Sequence, residues 1–303
     1  MRRIWILLAI LTAISCGTSD DEQRRQRQAT RQQEQRADSA ALKIAVMPTL
    51  DCLPLFVADS HGMFEREGLD VRLRHYQAQM DADTAMQRGH VEAMVTDLVR
   101  AERMQRQGLA LHYATATELS WQLVTTASAR IKRLEQLDDK MIAMTRYSAT
   151  ALLADHAVDS AKLSAERVFK IQVNDVGVRL NMLENSILDA LLLPEPQATQ
   201  ARLLNSAVLM DTRRMDQHYG VIAFSEKALK STDRQQQLKT FLKVYDMACD
   251  SINEQGFGAF ADLIMEQCGV KAQTVDSLPA DLHFHHAATP RQADIDKAKK
   301  WLR

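Results

Sequence analysis

The stretch LKIAVMPTLDCLPLFVADSHGMFEREGLDVRLRHY, residues 42–76, holds two strands and the turn chemistry between them. Lys43 to Met47 is a short apolar run of strand length. Pro48 and Pro54 bound the loop that follows, and Pro54 suits the first turn of a helix, where its missing N–H costs nothing. Gly62 and Gly68 break the chain on either side of Phe64, and Leu69-Asp70-Val71-Arg72-Leu73 alternates as a half-exposed strand does. Next comes DADTAMQRGHVEAMVTDLVRA, residues 81–101. It reads as a helix over Asp81 to Arg88, a stop at Gly89 and a buried strand over Ala93 to Val95. Strands alternating with helices predict a mainly parallel sheet flanked by helices.

The same grammar returns later in the chain. Met141 to Met144 reads as a strand, Thr145 to Ser148 as a loop, Ala149 to Ser160 as a helix and Phe169 to Val173 as a strand. Asn181 to Leu191 lies without gaps on Thr84 to Met94. The acid–alanine pairs Glu92-Ala93 and Asp189-Ala190 coincide, with Ser186 in the place of Gly89. A helix–turn–strand unit used twice predicts an α/β protein of two lobes with a cleft between them. Trp121 to Thr126 and Gly220 to Phe224 read as extended, and Gln235 to Ile252, Gly256 to Glu266 and Pro290 to Leu302 as helical.

Three elements carry a resemblance: the Pro48 to Pro54 loop, the run Gly62 to Val71, and Gly89-His90-Val91-Glu92-Ala93 leading to Thr96-Asp97. They resemble solute-binding lipoproteins of ABC importers, of the nitrate/sulfonate/taurine and thiamine-pyrimidine-precursor type. The resemblance implies a two-lobed type II periplasmic-binding-protein-like fold. Residues 42–120 would open lobe 1, 121–223 form lobe 2 with two or three crossing strands, and 224–303 return to lobe 1 and the C-terminal helices. It also implies a monomer that captures a small organic solute by hinge closure and delivers it to an ABC permease with its ATPase. No chemistry on the solute, no cofactor and no metal are implied.

The N-terminus reads as an export signal. Arg2 and Arg3 precede an apolar run, Ile4 to Ile14, too short to span a bilayer comfortably. Ala13-Ile14-Ser15-Cys16 resembles a lipobox, so residues 1–16 are expected to be a lipoprotein signal peptide and Cys16 the acylated, palmitate-type anchor. Residues 17–41, rich in Arg, Gln and acids with almost nothing to bury, read as a polar tether. The expected place is a bacterial membrane surface, facing the periplasm or the outside. A formal net charge of -1 gives no field for a polyanion, which argues against nucleic acid. Cys52, Cys249 and Cys268 form no CxxC, and a Cys249–Cys268 disulfide stays open.

Ligands of open α/β sheets bind beyond the carboxyl ends of strands. Four loops meet that condition: Thr49-Leu50-Asp51-Cys52, Thr96-Asp97, Thr145 to Thr150, and Pro194-Glu195-Pro196. A helix opening at Ser148 and Thr150 offers free N–H groups to an anion, with Arg146 beside it. Asp51, Asp97 and Glu195 suit an amine or ring N–H, and Tyr147 or Trp121 suits stacking on a flat ring. The set favours a solute with both an acidic group and a nitrogen donor. Ser148 reads equally well as a plain N-cap. Two competing signals remain. His283-Phe284-His285-His286 has histidines at metal-sharing spacing. The other is a lipid-anchored enzyme on the same fold, of thiamine-pyrimidine or menaquinone-branch type; the cysteine-rich iron-binding run of the pyrimidine-forming group is not found here, and the lone Cys52 has no histidine partner near it in sequence. A third class is a partner-binding lipoprotein that has lost the cleft chemistry.

Overall fold

The computed structural model describes residues 41–303 and, before them, residues 23–25, 27–29, 38 and 40. The expected signal peptide, the anchor at Cys16 and most of the tether lie outside the described residues. Among the described residues no helix is long and apolar enough to cross a membrane.

Ten strands form two sheets. β1 (Leu42–Val46), β2 (Val71–His75), β3 (Ala93–Asp97), β4 (Leu111–Ala116) and β10 (Gly220–Ser225) make the first, in the order β2-β1-β3-β10-β4. β5 (Trp121–Thr125), β6 (Lys140–Met144), β7 (Val168–Gln172), β8 (Ala190–Pro194) and β9 (Ala207–Asp211) make the second, in the order β7-β6-β8-β5-β9. Each sheet is mixed: its first three strands are parallel, and its last two join antiparallel. The segments read as carrying the chain between lobes, around Trp121 and Gly220, are thus strands inside the sheets. β5 is buried at every residue and therefore needs partners on both sides for its backbone groups. The crossings themselves are the short stretches 117–120 and 212–219 that join β4 to β5 and β9 to β10.

The repeat read from sequence is real, and its acids have a physical use. The helix Gln79–Gln87 leads through a turn into β3, and the helix Val176–Glu184 leads through its counterpart into β8. Ala93 pairs with Ile44 of β1, and Ala190 pairs with Ile142 of β6. The Glu92 carboxylate accepts from the Lys43 N–H and the Asp189 carboxylate from the Met141 N–H, each at 2.9 Å. Each acid thereby satisfies a backbone donor at the start of a neighbouring strand. Gly89 turns the chain at φ 71° and Ser186 turns it at φ 53°, so the mismatched position keeps the left-handed conformation.

One apolar core runs through both lobes, including Ile44, Met94 and Ile222 from the first sheet and Leu123, Ile142 and Leu192 from the second. The opposite face of the second sheet buries a smaller cluster around Val124, Ala143, Leu180 and Leu191. The long helix Thr232–Gln255 docks on the first lobe through Phe241, stacked on Phe64 at 6.0 Å and edge-on to Phe224 at 5.6 Å. Cys52, Cys249 and Cys268 are buried free thiols, so the Cys249–Cys268 bridge is not formed. Burial pushes all three thiols up, Cys249 to about 12, which suits packing rather than nucleophilic work.

Candidate functional site

The loop after β1 folds back as a short turn that buries Asp51 among its own neighbours. Thr49 Oγ1 donates to Asp51 Oδ1 at 2.6 Å, and Thr117 Oγ1, from the first crossing, donates to Oδ2 at 3.0 Å. Burial raises the Asp51 pKa to about 6 despite those two hydrogen bonds. Opposite, at the end of β8, Glu195 is 4% exposed and fully engaged. Its Oε1 accepts from Arg202 Nη1 at 2.9 Å and Gln122 Nε2 at 3.2 Å, and its Oε2 accepts from the Thr199 N–H and hydroxyl. The two loops also touch directly, the Leu50 N–H donating to the Glu195 carbonyl at 2.8 Å.

Asp51 and Glu195 face a small chamber of about 10 Å³, whose other walls include the crossing residues Glu118 and Ser120 and the tail residues Leu282 and His283. The chamber shares Glu118, Leu119, Ser120, Leu282 and His283 with a groove of about 550 Å³. Three arginines stand in that groove, Arg202, Arg213 and Arg214, against the acids Asp211 and Asp281. Arg213 reaches Asp281 of the tail. The chamber holds the two carboxyls, and the groove mixes charges: Arg202 is paired with Glu195 and Arg213 with Asp281, and Arg214 lines the same wall. An N–H donor fits beside Asp51, since Glu195 already has its full set of partners, and an anionic group fits beside Arg213 and Arg214.

The other two expected loops meet elsewhere, in a seam between the lobes. Asp97 Oδ1 accepts from the Arg100 N–H of its own helix, Leu98–Arg106, and from the Ala149 N–H of the second lobe's helix, Ala149–Ser160, each at 3.0 Å. Thr96 lies beside it, buried. Ser148 is the N-cap of its helix, its hydroxyl accepting from the Thr150 N–H at 3.1 Å. Thr150 Oγ1 accepts from the Thr145 N–H at 2.8 Å. Burial raises the Asp97 pKa to about 6. Trp121 is sealed in the core with its backbone N–H on Thr212 Oγ1. Arg146 and Tyr147 are exposed at the rim of the second lobe. Tyr147 is left-handed at φ 55° with the Arg103 guanidinium 4.2 Å above its ring. Of the ten expected residues, the structure gathers Asp51 and Glu195 at the chamber, with Thr49 behind Asp51. Thr96, Asp97, Ser148 and Thr150 gather in the seam.

Sequence reading missed the two arginines beneath that seam. Arg100 is 1% exposed and grips Asp83 through two nitrogens, Nε at 3.1 Å and Nη2. Arg179 is equally buried and donates to the Val173 and Leu192 carbonyls and the Thr145 hydroxyl. Burial lowers its pKa to about 9. The groove arginines were missed too, because nothing in their spacing links Arg202, Arg213 and Arg214. The histidine tract is spread over separate partners: His285 Nδ1 lies 2.6 Å from Glu118 and His286 Nε2 2.7 Å from Asp250. Among the described residues no group of three or more His, Cys, Asp or Glu side chains is placed to hold a metal.

Two mixed five-stranded sheets, joined by two crossings and lined from both sides at their facing ends, define a two-lobed type II periplasmic-binding-protein-like fold. The chain belongs to the family described as NMT1/THI5 like, whose sequence model it matches over residues 49–255. The alkanesulfonate-binding protein SsuA from Xanthomonas axonopodis pv. citri, bound to MOPS, superposes with a TM-score of 0.72 at 15% identity, over 87% of this chain and 91% of its own. The aliphatic sulphonate binding protein SsuA from Escherichia coli gives 0.69 at 16%, over 86% and 91%. The nitrate-binding protein NrtA from Synechocystis PCC 6803 gives 0.65 at 11%, over 77% and 68%. At these identities the likeness is one of fold. No curated protein matches the sequence.

Proposed function

We propose that the protein is the extracytoplasmic solute-binding component of an ABC importer, anchored to its membrane through Cys16. It holds a small organic solute and presents it, unchanged, to a permease driven by a cytoplasmic ATPase. The observation that carries this reading is the two-ended site. Asp51 from the first lobe and Glu195 from the second close one end, and the arginine-bearing groove opens from it. A nitrogen donor would sit beside Asp51, and a sulfonate, carboxylate or phosphate near Arg213 and Arg214. The relatives named for alkanesulfonate and nitrate support a solute role with an anionic group. Because both lobes wall the chamber, a bound solute would favour the arrangement in which they surround it.

Native mass spectrometry of the chain lacking residues 1–41, purified gently from its own host, tests this. A co-purifying small molecule released by mild unfolding is the expected result, and its mass names the class. Asp51→Asn and Arg213→Ala should each weaken rebinding of that molecule by roughly tenfold, the loss of one charge-assisted contact. A chain that carries nothing, and whose melting is unmoved by aminosulfonates, pyrimidines and flavins, would turn the assignment toward a partner-binding lipoprotein.

A further inference from the structure

In the seam, a carboxylate of one lobe sits on a helix terminus of the other. The 12-residue helix Ala149–Ser160 carries the positive end of its dipole at its start, where Ser148 takes the N–H groups of Thr150, Ala151 and Leu152 and leaves that of Ala149. That is an anion position, and the Asp97 carboxylate takes it from across the seam, 3.0 Å from the Ala149 nitrogen. Three further atoms are buried here without a hydrogen-bond partner among the described residues: Thr96 Oγ1, Asp97 Oδ2 and Arg100 Nη1. Two buried guanidinium groups, Arg100 and Arg179, lie beneath the spot; Arg100 is paired with Asp83, whereas among the described residues Arg179 hydrogen-bonds only to carbonyls and a hydroxyl. The Arg179 charge, the helix terminus and the unpartnered Arg100 Nη1 and Thr96 Oγ1 thus converge where a single carboxylate is anchored.

We propose that Asp97 is a built-in oxyanion: the first lobe holds the second lobe's helix terminus with a tethered carboxylate, in a position that a small soluble carboxylate takes when Asp97 is removed. Its Oδ1 bridges two helices of different lobes, so the lobes part at this point only by exchanging that contact. A hydrogen bond to an ionised, dehydrated carboxylate is roughly twice as strong as a neutral one. Asp97 is 0% exposed, so bulk water does not reach it in place. This contact involves no solute and is independent of whether the groove binds one.

Hydrogen exchange, read by mass spectrometry on the chain lacking residues 1–41, tests the proposal. Asp97→Ala should speed exchange in peptides covering Ala149 to Leu152 by roughly tenfold or more. Millimolar sodium acetate should restore slow exchange there, and sodium chloride at equal ionic strength should not. Unchanged exchange in those peptides overturns the proposal, as does equal restoration by both salts. A change confined to Leu98–Arg103 also overturns it, since Asp97 would then be only the N-cap of its own helix. Asp97→Asn guards against a misfolded alanine variant. It keeps the acceptor oxygen and loses the charge, and wild-type exchange in that protein would likewise refute the idea.

Discussion

Asp51 and Asp97 are carboxyls that hold protons more tightly in the folded chain than in solution. Burial raises each to about 6 from 3.8, and the hydrogen bonds to Thr49 and Thr117, or to the Arg100 and Ala149 N–H groups, only partly offset it. Between those values the folded state binds more protons than the unfolded state, so the contribution of each group to stability falls as pH rises through that window. Asp51→Asn removes one of these titrations. The variant should therefore gain stability relative to the wild type between about pH 4 and pH 6.5. Thermal melts of both proteins at several pH values read that difference directly, and parallel curves would contradict it. The sequence made Asp51 legible because a carboxylate after a strand is a recognisable position. It did not make Arg100 or Arg179 legible, because an arginine on an amphipathic helix is ordinarily solvated. Only the fold shows that Asp83 and the carbonyls of Val173 and Leu192 wait beneath them.

Elements that repeat were easy to read, and elements that cross were not. The Glu92-Ala93 and Asp189-Ala190 pairs declared their equivalence because each acid must reach the first backbone donors of a neighbouring strand. The strands β5 and β10 were recognised as extended, yet their antiparallel insertion into the sheets leaves no mark on their composition. Long-range pairing chooses between a strand that crosses and one that is paired. Gly220 is where that choice is enforced. A Cβ there would lie within 2.5 Å of Leu119 Cβ and 3.0 Å of the Thr117 carbonyl, both on the other crossing. Neither neighbour is the free end of a flexible side chain, so the backbones must separate. Gly220→Ala should cost about 1–3 kcal/mol by overpacking. For a domain of this size that lowers the melting temperature by ~2–4 °C per kcal/mol. Calorimetry of the variant measures it, and a wild-type midpoint would show that the crossings are looser than this packing. Because Glu118 and Ser120 wall the chamber, the same substitution should also weaken any bound solute.

At the scale of the whole molecule, the two sheets share one apolar core. The core that holds Ile44, Met94 and Ile222 is continuous with the one that holds Ile142, Leu123 and Leu192. Contacts tie the lobes at several separate places: Ala78 bridges Asp175, and Gln197 Nε2 donates to the Pro48 carbonyl at 2.7 Å and the Cys268 carbonyl at 2.9 Å. Trp301, on the C-terminal helix Gln292–Trp301, donates its indole N–H to Asp155 of the second lobe at 2.8 Å. That helix also packs on Leu98–Arg106 of the first lobe, with Arg106 bonded to the Lys299 and Leu302 carbonyls. Neither lobe can lose its core without exposing apolar surface of the other, at ~25 cal/mol for each Å². Denaturant unfolding of the chain lacking residues 1–41 should therefore be a single transition. Far-UV circular dichroism reports helices of both lobes, and tryptophan fluorescence reports Trp121 and Trp301, so their midpoints should coincide. Two separated midpoints would mean that the lobes melt independently and that the seam contributes little to their union. If the single transition holds, Asp97→Ala should lower its midpoint without splitting it, because the shared core would still couple the two sheets after the tethered carboxylate is gone.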